Sequence, residues 1–143
     1  MSITLQVGVK ALLKNKDDKY LLLNRSREKY PTIKGHWDIP GGRIEPGTSL
    51  LENLKREVKE EAGLSVVGEP KLIHATDILR VPGLHVVRLT YVGNVTGKIK
   101  LDPLEIVEYE WVTLEEMKDH TDLDMYTKEL FYKNIISSSL DRA

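Results

Sequence analysis

The chain has 143 residues, 41 % of them hydrophobic, with 21 basic and 22 acidic residues and a formal net charge of −1. That length and apolar content suit a single domain over 1–143 with a core of its own, and exclude a disordered chain. The charge balance leaves no whole-molecule field for a nucleic-acid backbone or an anionic membrane, and the absence of cysteine excludes disulfides, thiolate metal centres and cysteine nucleophiles.

Met1 to Val7 has neither a basic start nor a long apolar stretch, and no uncharged apolar run approaches a membrane span. A reducing, cytoplasmic setting is the expectation. Ile3, Leu5, Val7, Val9 and Ala11 alternate with Thr4, Gln6, Gly8 and Lys10, which predicts a strand with one buried face. Asn15 to Asp18 reads as a hairpin turn and Tyr20 to Asn24 as the returning strand. Arg25 to Gly35 is polar and contains Pro31, so it is expected to be a loop. Trp37-Asp38-Ile39 is a short strand that stops at Pro40-Gly41-Gly42.

Ser49 with Glu52 is the spacing of a capping box, Leu51, Leu54, Val58 and Ala62 make an apolar stripe, and Gly63 suits a left-handed stop. These signals predict a helix over about residues 50–62. Further on, Leu72–Leu79 and Leu84–Val92 read as strands about a Val81-Pro82-Gly83 turn, and Glu108–Val112 as another. Thr113 with Glu116 is a second capping box, opening a short helix to about Lys118, and Leu123–Ile136 looks like a closing helix. Strands interleaved with few helices predict a mixed sheet covered on both faces.

Glu57, Glu60 and Glu61 all fall on one face of the predicted helix. Like charges one turn apart repel, and the negative end of the helix dipole disfavours them further. A divalent cation offsets both effects. Carboxylates on a rigid helix supply hard oxygens at fixed spacing, a glycine-loop carbonyl supplies another, and substrate phosphates complete such a shell. A bare helix of solvated glutamates among lysines would look the same, and the three carboxylates alone do not decide for the metal site. Arg25, Arg27 and Lys34 lie next to the predicted cleft, with Arg25 the first choice for a phosphate contact. The four histidines show no metal spacing, and Trp37, Tyr91 and Trp111 are expected in the core.

Residues 42–64, from Gly42 through Arg56-Glu57-Val58-Lys59-Glu60-Glu61-Ala62-Gly63-Leu64, resemble the Nudix box, Gly-x5-Glu-x7-Arg-Glu-U-x-Glu-Glu-x-Gly-U with U aliphatic. The one departure is Thr48, where the family has its first glutamate. The resemblance implies a Nudix fold, an α/β mixed sheet between helices (α/β/α). It also implies a Mg²⁺- or Mn²⁺-dependent pyrophosphohydrolase of MutT-like type, acting on a nucleoside diphosphate linked to another group. It assigns Glu57, Glu60, Glu61 and the Gly42 carbonyl to the metal, and Glu57 or Glu60 to deprotonation of the water. Arg56 orients a helix glutamate, Glu105 supplies a base or a further ligand, and Arg25, Gly41 and Gly42 meet the substrate. The implied partner is a small nucleotide, with an RNA 5′ end as the one nucleic-acid exception, and homodimers through sheet edges occur in the family. Thr48 puts a hydroxyl where the family has a carboxylate, which leaves a non-catalytic nucleotide sensor as the alternative.

Overall fold

The computed structural model describes residues 2–31 and 35–136. Among them are seven strands and three helices: β1 Thr4–Lys14, β2 Tyr20–Arg25, β3 Trp37–Asp38, β4 Gly41–Arg43, α1 Leu50–Ala62, β5 Ser65–Ile78, β6 Leu84–Thr96, β7 Ile106–Val112, α2 Leu114–Lys118 and α3 Met125–Tyr132. They form one mixed sheet in the order β3-β2-β1-β6-β5, with β4 paired to β1 and β7 to β2. β1 runs parallel to β6 from Thr4↔Leu84 to Lys14↔Asn94 and antiparallel to β4 at Gly8↔Arg43. No helix among the described residues is long and apolar enough to cross a membrane.

The pleat sends successive side chains to opposite faces, and both faces are covered. Val9, Ala11, Leu13, Leu21 and Leu23 pack with Leu54, Val58 and Ala62 of α1. Leu12, Tyr20 and Leu22 pack on the other side with Leu114, Met117, Leu123 and Leu130. The single buried face expected for the first strand is therefore two half-faces. Ile3 and Leu5 fall outside both cores at 68 % and 65 % exposure.

Three other elements differ from expectation. β5 starts at Ser65, well before Leu72, because Gly68 and Pro70 are absorbed by register shifts in its pairing with β6. Gly93 makes room for this, since a Cβ there would meet the Pro70 ring at 3.2 Å, and β6 accordingly continues past Val92 to Thr96. Gly41–Arg43, read as part of a loop, is a short strand on β1. The closing helix is shorter than Leu123–Ile136. Asp124 accepts from the Tyr126 and Thr127 N–H groups and fixes its start, and Asn134 at φ 57° ends it.

Candidate active site

The ends of α1 are set as the sequence indicates. Ser49 Oγ accepts from Glu52 N at 3.2 Å, and Gly63 sits at φ 73° with its N–H on Lys59 O. Only half of the expected capping box forms here. Asn53, fully buried, ties the loop down in a different way: it donates to the Thr48 and Ser49 carbonyls and accepts from Glu45 N at 2.9 Å. This side chain, which sequence reasoning passed over, clamps the glycine loop to the helix. Its one sequence signal is an amide beside Leu54 on the helix's apolar stripe.

Arg56 sits at the centre of the acidic face. Its Nη1 lies 3.0 Å from Glu57 Oε1, 3.2 Å from Glu60 Oε2 and 3.8 Å from Glu45, and its Nη2 reaches Asn53 Oδ1 at 3.0 Å. Glu61 turns the other way and accepts the Gly41 N–H at 2.9 Å. Burial pushes the Glu57 carboxyl above its usual value against the pull of Arg56. Burial raises Glu61 further, to about 7, against Lys10 and the Gly41 N–H. Gly42 faces Glu57 so closely that a Cβ would lie 2.6 Å from its carboxylate.

Glu57, Glu60, Glu61, Gly41 and Gly42 line one cleft of about 400 Å³, with Lys10, Arg25, Tyr30, Arg88, Glu105 and Tyr126 on its other walls. No three of its acids converge as a metal-holding cluster among the described residues. The expected four-ligand set is thus brought to one wall but not to one point, because Arg56 holds Glu57 and Glu60 and Gly41 holds Glu61. The donor set still fits a hard dication: carboxylate oxygens beside a glycine corner that lines the cleft, with two carboxyls whose burial lacks a sufficient counter-charge.

Glu105 stands across the cleft. It accepts from the Tyr30 hydroxyl at 2.6 Å and from the Lys29 ammonium. Burial would raise its carboxyl, but Lys29 and Tyr30 outweigh burial and hold it below the usual range. Arg25 is 14 % exposed: its Nη2 donates to Gly35 O at 2.6 Å and to Asp124 at 3.2 Å, and its Nη1 lies 3.7 Å from Asp38 on the cleft wall. Arg27 leaves the cleft for His36 and Asp122, and Lys34 lies outside the described residues.

Beneath the cleft is a buried ionic layer that the sequence reading missed. Arg88 contacts Asp38 and Asp124 at 3.3 Å each and Thr127 Oγ1 at 2.8 Å, and Thr127 donates to Asp38 at 2.5 Å. Burial would raise the Asp38 carboxyl, yet Arg88, Lys10 and Arg25 together hold it far below the usual range. The available signal was a charge on an apolar strand face: Val86, Arg88 and Thr90 share one side of β6 and all are buried.

The arrangement defines a class: a mixed sheet between helices, with a glycine corner set against an acidic helix at the mouth of a polar cleft. A NUDIX domain model matches residues 4–132, and the chain belongs to the Nudix hydrolase family. Among solved structures it resembles the MutT protein of Methanosarcina mazei Go1, with a TM-score of 0.76 and 30 % identity over 93 % of this chain and 94 % of that one. It is 35 % identical over 91 residues to the 8-oxo-dGDP phosphatase NUDT18 of Homo sapiens, covering 64 % of this chain and 26 % of that protein. It is 34 % identical over 82 residues to the ADP-ribose pyrophosphatase of Methanocaldococcus jannaschii, covering 57 % and 47 %. The chain thus spans half or less of the length of these curated relatives. Nudix enzymes hydrolyse phosphoric anhydride bonds in nucleotides and generally use divalent metals.

Proposed function

We propose that the chain is a Mg²⁺- or Mn²⁺-dependent pyrophosphohydrolase of nucleoside di- or triphosphates, acting first on modified, oxidised nucleotides. The observation that carries this is the pair of carboxyls, Glu57 and Glu61, raised by burial beside the Gly41–Gly42 corner and short of positive charge. Glu57 and Glu61 hold the metal, with Glu60 and the Gly42 carbonyl as further donors. The bound ion supplies Lewis acidity and lowers the pKa of a water. Arg56 aims Glu57 and Glu60, the Gly41 N–H aims Glu61, and Glu57 or Glu60 takes the proton of the water that attacks phosphorus as the anhydride P–O bond breaks. Glu105, held ionised by Lys29 and Tyr30, braces the opposite wall. The oxidised-nucleotide preference is supported by the names of relatives, NUDT18 and a putative 8-oxo-dGTP diphosphatase of Bacillus subtilis. A free nucleotide substrate agrees with a cytoplasmic setting.

The test is a substrate panel with Mg²⁺ or Mn²⁺: ordinary and oxidised nucleoside di- and triphosphates, ADP-ribose, dinucleoside polyphosphates and triphosphorylated RNA, read as phosphate and diphosphate release. Glu57→Gln should cut turnover about a hundredfold or more. Unchanged turnover removes Glu57 from the mechanism. The sensor reading, motivated by Thr48, requires tight nucleotide binding with no hydrolysis across the panel.

A further inference from the structure

The buried layer carries a charge surplus. Three cations, Lys10, Arg25 and Arg88, share two carboxylates, Asp38 and Asp124. Asp38 is already satisfied without Lys10, since Arg88, Thr127 and the Ile39 N–H all donate to it. Lys10 makes two contacts, at 3.3 Å from Asp38 Oδ2 and 3.3 Å from Ile39 O. An ammonium has three donors, and these two contacts leave the third for the cleft that Lys10 lines.

The sheet order places this ammonium between two unlike walls. β1 lies between β4, which with α1 carries the glycine corner and the acids, and β6, which carries Arg88. Lys10 stands directly opposite Gly41 in the β1–β4 register. Its charge is felt by Glu57, Glu61 and Glu105 alike, so it is near the reacting end of the cleft.

We propose that Lys10 is a substrate-binding residue, donating its third ammonium proton to a non-bridging phosphate oxygen of the nucleotide. Dication binding satisfies the acids of α1, and the surplus positive charge of the cleft floor then faces the polyphosphate. The proposal rests on the hydrolase reading above and adds to it a phosphate contact from the central strand. Arg25 lines the same cleft with its Nη2 on Gly35 and Asp124 and its Nη1 3.7 Å from Asp38, so the Lys10 contact stands beside that of Arg25.

The experiment compares wild type, Lys10→Met and Lys10→Arg on whichever nucleotide the wild type cleaves. A phosphate contact predicts a KM about tenfold higher in Lys10→Met, with kcat within about threefold and substantial recovery in Lys10→Arg. A purely structural lysine would lower the melting temperature and leave KM alone, which overturns the proposal. If Lys10→Met does not fold, reductive methylation of wild type decides. An α,β-methylene nucleoside diphosphate with Mg²⁺ must protect Lys10 several-fold, with exposed Lys71 as the internal reference; equal labelling with and without the analogue overturns it. A wild type that cleaves no nucleotide sinks the hydrolase reading itself, a result distinct from a cleaving wild type whose Lys10→Met variant keeps its KM.

Discussion

Gly42→Ala tests the site without removing any functional group. The backbone at Gly42 is outside the left-handed region, so alanine is conformationally acceptable there. The added Cβ, however, would lie 2.6 Å from Glu57 Oε2 and 2.8 Å from its Cδ, where ordinary contact begins at 3.4 Å. The carboxylate must therefore retreat by about 0.8 Å, and a displacement near 1 Å of a positioned group costs on the order of a hundredfold in rate. The atom that gives way is the end of a flexible side chain, so the fold should lose less than about 1 kcal/mol. The assay is nucleotide turnover at saturating Mg²⁺ beside a thermal melt. The expected result is a fall of about a hundredfold with the melting temperature nearly unchanged. Turnover within about threefold of wild type would show that Glu57 does not act from its position beside Gly42.

Gly41→Ala is the contrasting case: Gly41 has φ 138° and its Cβ would collide with the Val9 carbonyl and lie 2.7 Å from Lys10 Cα, so the variant should fail to give a cooperative melt. Asp124→Asn strips a carboxylate from Arg88 and Arg25 in the buried layer and should cost about 3 kcal/mol in a denaturant titration, and a loss under about 1 would mean the layer is not under ionic control. Glu61 is raised in the folded state to about 7, so the folded protein binds its proton more tightly than the unfolded chain. Metal-free stability should accordingly fall as pH rises from the ordinary glutamate range towards 7, an effect that Glu61→Gln reduces to the smaller part owed to Glu57, whose carboxyl burial also raises; a flat profile for wild type over that span contradicts the assignment. Thr48→Glu adds a carboxylate to the loop and should lower the Mg²⁺ concentration needed for half-maximal turnover, whereas an unchanged titration would place residue 48 away from the ions.

The parts of the molecule that were readable in the chain are those governed by local rules. Helix α1 runs from Leu50 to Ala62 because a cap, an apolar stripe and a left-handed glycine all act within a few residues. What was not readable depends on neighbours distant in sequence. Gly68 and Pro70 look like a break until Gly93 of β6 is seen to accommodate the proline. Asp124 looks like an ordinary helix residue until Arg88 and Arg25 meet it. The three glutamates were correctly brought to one wall, but their convergence was not legible, because Arg56 and the Gly41 N–H compete for the same oxygens. Lys10 was merely a polar residue alternating along β1, and only the tertiary fold shows that it faces the cleft.

The central claim is that the acids of α1 hold a dication for hydrolysis of a nucleotide anhydride. Its most direct measurement is phosphate and diphosphate release from oxidised and ordinary nucleotides by wild type and by Glu57→Gln/Glu61→Gln, each with Mg²⁺ and with EDTA. The account predicts turnover by wild type with Mg²⁺ alone, and none by the folded double variant. Hydrolysis that survives EDTA, or that the double variant retains, would contradict it.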